Sequence, residues 1–101
     1  MGLVVRLEDE FGKVFEVAID EQNLLHKLLP SSEDSTAMLA GIDWYGDTTF
    51  NRMQISRFLI EWEELLSSVH TPAVTTLLEQ IKALAVQCAD GVHLHLKFIG
   101  D

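Results

Sequence analysis

The apolar positions change period along the chain, and the changes mark the elements. Leu3, Val5 and Leu7 alternate with Val4, Arg6 and Glu8, and Phe15, Val17 and Ile19 alternate with Val14, Glu16 and Ala18. Between them Asp9-Glu10-Phe11-Gly12 carries turn chemistry, so the first twenty residues read as a β-hairpin. Asp20 then stands as an N-cap before Leu24, Leu25, Leu28 and Leu29, which mark a short helix that Pro30 stops. Ser31 to Ser35 is a polar loop, and the nearly uncharged run Thr36 to Trp44 predicts a strand covered on both faces. Ala37, Met38, Leu39 and Ala40 within that run also favour a helix.

In the second half the period becomes helical. Ile55, Phe58, Leu59, Trp62, Leu65, Leu66 and Val69 fall at steps of three and four, which gives one apolar stripe. Asn51 with Gln54 fits a capping box at its start. Thr71-Pro72 opens a second helix with its stripe at Val74, Leu77, Leu78, Ile81, Leu84, Ala85 and Cys88, and Asp90-Gly91 ends it. The short connection makes the two helices an antiparallel pair. Val92, Leu94, Leu96 and Phe98 alternate with His93, His95, Lys97 and Ile99 in a closing strand. The expected order is ββαβααβ in a single α+β domain spanning 1–101. Its four-stranded, largely antiparallel sheet should carry the helices mainly on one face.

Charge narrows the classes of partner. The 101 residues hold 7 basic and 16 acidic side chains, a net charge of −9. Nucleic acid and anionic membrane surfaces are therefore not expected ligands. Residues 1–50 carry ten of the acids (Glu8, Asp9, Glu10, Glu16, Asp20, Glu21, Glu33, Asp34, Asp43 and Asp47) against Arg6, Lys13 and Lys27. An acidic half of this kind can steer a basic protein toward it, although charge also serves solubility alone. Cys88 is the only cysteine, so the chain needs no oxidising compartment. No basic region followed by an apolar run opens it, and a cytoplasmic location is expected.

Chemistry concentrates at one corner. Asp43-Trp44-Tyr45-Gly46-Asp47-Thr48-Thr49-Phe50-Asn51-Arg52-Met53-Gln54 puts two aromatics and two carboxylates between a strand end and a helix start. Asn51 and Gln54 are structural caps in this reading. Asp47 and Thr48 either satisfy the free N–H groups of the helix start or join Trp44 and Tyr45 in facing a partner. His93 and His95 share a strand face about 6–7 Å apart. No H-x-x-x-H accompanies them, so no metal site and no cofactor is expected. Cys88 lies on an apolar stripe and reads as a buried thiol. Glu61, Glu63 and Glu64 around Trp62 read as a charged helix face, with Ile60 exposed beside them.

The run Asp43-x-Tyr45-Gly46-Asp47-Thr48-x-Phe50-Asn51-x-x-Gln54, with Leu96-x-Phe98-Ile99-Gly100-Asp101 downstream, resembles a group of small uncharacterised bacterial proteins of similar length. The resemblance implies a soluble single-domain protein and brings no catalytic residue with it. Small acidic bacterial proteins of this general build include immunity proteins, which bind and block a toxin made by the same cell, and analogy extends that role here.

Three functions compete on these features. The first is a protein-binding module that docks on a basic protein, a toxin or nuclease for instance, through Trp44, Tyr45, Asp47 and Thr48. The second is a self-associating domain, a homodimer built on those aromatics or on an uncovered strand edge. The third is an enzyme using Asp43, Asp47 and the histidines with a divalent ion.

Overall fold

The computed structural model describes residues 2–29, 38–69 and 71–100. Four strands form one antiparallel sheet: β1 (Val4–Asp9), β2 (Val14–Ile19), β3 (Asp47–Phe50) and β4 (Leu94–Ile99), in the spatial order β2-β1-β4-β3. Two helices, α1 (Arg52–Ser67) and α2 (Pro72–Asp90), cover one face of it. This is the α+β architecture expected from the pattern.

The hairpin is held by its own turn. Gly12 takes a φ of 85°, in the left-handed region that suits glycine, and the Asp9 carboxylate accepts the N–H groups of Phe11 (2.9 Å) and Lys13 (2.8 Å). Strand alternation sorts the rest. Leu3, Val5, Leu7, Ala18, Phe50, Leu96 and Phe98 point at the helices and are buried. Against them lie Ile55, Phe58 and Trp62 of α1, with Leu78, Ile81, Leu84, Ala85 and Cys88 of α2. Phe58 stacks on Trp62 with ring centroids 5.0 Å apart, and both meet Phe98. The Trp62 indole N–H donates to the Leu78 carbonyl at 2.9 Å, so the largest core side chain also ties the helices together.

Four local expectations are corrected. The helix after Asp20 is only a 3-10 turn, Leu24–Lys27, because Asn23 enters it at a φ of 56° and the four-residue turn closes at Leu28. Pro30, the polar loop 31–35, Thr36 and Ala37 lie outside the described residues. In place of a strand ending at Trp44, Met38–Gly41 form a second 3-10 turn. Its cause is distant in sequence. The Glu61 carboxylate accepts the N–H groups of Met38 and Leu39, each at 3.0 Å, and so satisfies the start of the turn. Glu61 is therefore part of the scaffold, not of a solvated helix face. The third strand begins later, at Asp47, where Thr48, Thr49 and Phe50 suit a pleated, half-buried surface. At the other end, His93 takes a φ of 60° and stays outside β4, so it shares no strand face with His95.

Cys88 lies buried, as its stripe position requires. Burial pushes its thiol up from the ordinary cysteine value, against a smaller opposing pull from the Leu96 backbone. The thiolate is thus scarce near neutral pH. In native conditions Cys88 is expected to resist an aromatic disulfide reagent, reacting only as fast as the core opens. Labelling kinetics with and without urea check this, and immediate native labelling would show an accessible thiol.

Candidate functional site

The corner between Asp43 and Gln54 is built from short-range hydrogen bonds. The Asp43 carboxylate accepts the Tyr45 N–H at 2.9 Å, and Thr48 Oγ1 accepts the Asp43 N–H at 2.8 Å. The Gly100 N–H donates to the Gly46 carbonyl at 2.7 Å, which fastens the turn to the end of β4. A Cβ on Gly100 would run into the Trp44 carbonyl, so this approach of two backbones requires glycine. Asn51 and Gln54 form the expected capping box: the Asn51 side chain accepts the Gln54 N–H at 3.0 Å, and the Gln54 side chain accepts the Asn51 N–H at 2.9 Å.

The two aromatics part company here. Trp44 is half-buried, packed against the core and meeting His26 edge-on at 5.3 Å. Tyr45 is 85% exposed and points away from it. Asp47 is not a helix cap. It opens β3 opposite Ile99, with its carboxylate 3.5 Å from the Lys97 ammonium on the helix-free face of the sheet. Thr48 is half-buried and serves as the acceptor for Asp43. Of the four suggested contact residues, Tyr45 and Asp47 thus face solvent, while Trp44 and Thr48 hold the turn.

Beside this corner the helix-free face is apolar. Asp47, Ile99, Val4 and Ile19 form one cross-strand row, since Ile99 pairs with both Asp47 and Val4, and Val4 with Ile19. Val4, Ile19 and Ile99 line a groove of about 230 Å³ together with Gly2, Gly100, Asp20 and Glu21. That is below the ~300–1,000 Å³ of small-molecule sites and suits an inserted side chain better. The sequence held a signal for this groove, since Val4, Ile19 and Ile99 are apolar at positions out of phase with the core. Next along the face, Arg6 pairs across the sheet with Lys97. Such like-charge neighbours are unfavourable, and Glu8 (3.6 Å from Arg6) and Asp47 offset them.

The acid excess of the first half is partly internal. Asp9, Asp20 and Asp43 each use a carboxylate to accept backbone N–H groups, and Glu8 is buried beside Arg6. Among the described residues no group of three or more His, Cys, Asp or Glu side chains is placed to hold a metal ion. His95 lies on the helix-free face opposite Glu8, and the exposed His93 imidazole comes within 3.4 Å of the Glu10 carboxylate. His70 lies outside the described residues. Lys82 bonds to Glu63, and that hydrogen bond is the main reason its ammonium is held above the ordinary lysine value. Among the described residues no helix is long and apolar enough to cross a membrane. Compared with protein-family models, curated proteins and solved structures, the chain matches none.

Proposed function

We propose that this chain is a small acidic protein-binding module that docks on a basic partner protein, in the manner of an immunity protein blocking a toxin or nuclease. The observation that carries the reading is Tyr45, an aromatic 85% exposed on a turn pinned at Asp43, Thr48 and Gly100. A rigid aromatic costs little entropy to immobilise and suits the centre of an interface. The Asp47 carboxylate lies at the same corner, shared with Lys97, and the groove at Val4 and Ile99, which Glu21 also lines, offers a seat for an apolar side chain of the partner. Such a site favours a basic segment with an apolar anchor.

The partner is to be captured from the native cell and its binding measured with purified variants. Tyr45→Ala is expected to lose about 2 kcal/mol of affinity, roughly 30-fold, with its denaturation midpoint unchanged. Asp47→Asn should slow association at low salt and weaken its dependence on ionic strength. Asn51→Ala serves as the control, costing ~0.5–2 kcal/mol of stability but no affinity per folded molecule. A partner that binds wild type and Tyr45→Ala alike would remove the corner from the interface.

A further inference from the structure

We infer that an open groove at the C-terminal end of α2 binds a small organic ammonium ion carrying a ring-sized apolar body. Leu7, Phe15, Gln87, Asp90, Gly91 and Leu94 line this groove, which measures about 360 Å³. That volume falls within the ~300–1,000 Å³ of small-molecule sites, which the groove at Val4 and Ile99 does not reach. A β-bulge supplies one wall. Leu7 pairs with Glu16 and Glu8 pairs with Val14, so Phe15 is the extra residue of β2. Strict alternation would set Phe15 with Val17 on the helix-free face. The bulge instead brings it to the α2 side, where it lines the groove with Leu7 and Gln87. Its ring stays 49% exposed there, whereas Leu7 is buried.

Charge selects the ligand. The last carbonyls of α2 put the negative end of the helix dipole at this groove. No basic side chain lies in that last turn to offset them, and Asp90, its final residue, adds a carboxylate. The Gly91 N–H is already given to the Gln87 carbonyl at 3.0 Å, so the backbone of the helix end offers a ligand acceptors and no donor. The Gln87 side chain donates to Glu16 at 3.2 Å, and its oxygen accepts no hydrogen bond among the described residues. Phe15 supplies the rest of the recognition. The Lys13 ammonium stands 5.4 Å from its ring centroid, so the ring already attracts one cation. Lys13 set against Glu16 and Asp90 still leaves these surroundings negative. A ligand ring stacked offset on Phe15 gains apolar contact with Leu94, while its head meets the acceptors of the helix end. Leu94 opens β4 and Ile99 closes it, so about 17 Å of strand separates this groove from the Tyr45 corner. The inference therefore stands apart from the partner-binding reading.

The test is a titration of the isotope-labelled full chain with phenethylammonium, followed by the NMR shifts of the backbone amides. Saturable shifts are expected at Leu7, Phe15, Gln87, Gly91 and Leu94, with Tyr45 and Asp47 unmoved. Phenethyl alcohol has the same skeleton without the charge and should bind about tenfold more weakly. Phenylpropanoate, an anion of similar shape, should not saturate. Asp90→Asn should remove much of the preference for the ammonium and leave the alcohol's affinity unchanged. Its melting temperature should not fall, because a carboxylate at this end opposes the helix dipole. Phe15→Ala should weaken ammonium and alcohol alike, since both use the ring. Shifts that fail to saturate at the groove amides overturn the inference, as does phenylpropanoate binding as well as the ammonium. So does a preference unchanged in Asp90→Asn, or an affinity unchanged in Phe15→Ala. A lysinamide acetylated at its α-amine carries the ammonium on a stem without a ring and should bind more weakly than phenethylammonium. Equal binding would make the groove a seat for a protein side chain and overturn its assignment to a small ligand.

Discussion

Trp62→Ala is expected to lower stability by ~3–5 kcal/mol, measured as a shift of the urea midpoint at constant slope. The indole is 0% exposed and lies between Phe58, Phe98 and the α2 backbone. Truncation removes its burial and leaves a void that the stacked Phe58 ring fills only in part. It also removes the hydrogen bond to the Leu78 carbonyl, although that loss is the smaller part. Trp62→Phe separates the two. It keeps a ring against Phe58 while removing the indole N–H and some volume, so it should cost less than the truncation. A domain of this size has about 5–15 kcal/mol in total, so the Ala variant should lie near the edge of folding. An unchanged midpoint would mean that the indole does not sit in the core.

Why the helices were legible and the region between Asp20 and Phe50 was not follows from the range of the interactions involved. The stripes from Ile55 to Val69 and from Val74 to Cys88 state a period of their own, and the Asn51–Gln54 box is closed over three residues. Local sequence suffices for such features. The turn at Met38–Gly41 depends instead on Glu61, which lies 23 positions from Met38, and no local pattern announces it. Asp47, Thr48 and Thr49 suit a turn or a cap as well as a strand. Their strand state is decided by pairing with Ile99, Phe98 and Lys97 near the other end of the chain. The candidate site was legible to the same degree. Its segment stood out by composition, but neighbouring aromatics on a turn do not declare which one is inward. Packing decides that: Trp44 lies against the core cluster beside His26, and Tyr45 is left in solvent.

Asp20→Ala is the second large expected effect, a loss of ~2–4 kcal/mol. Asp20 is only 2% exposed, yet it carries a carboxylate into the protein. Both oxygens are used: Oδ1 accepts the Leu24 N–H at 2.8 Å and Oδ2 accepts the Leu25 N–H at 2.9 Å. Those donors start the 3-10 turn that seats Leu25, itself fully buried, in the core. Alanine would leave two N–H groups without partners where water reaches poorly, and the desolvation of each must then be met in full. Asparagine is the discriminating variant. Its amide supplies one carbonyl oxygen and turns an NH2 group toward the other N–H, so donor faces donor. Asp20→Asn should therefore destabilise nearly as much as Asp20→Ala, although its shape is almost unchanged. Amide hydrogen exchange should accelerate at Leu24 and Leu25 in both variants before the rest of the sheet is affected. If asparagine instead matches wild type, a single acceptor suffices, and the second bond adds nothing to the fold.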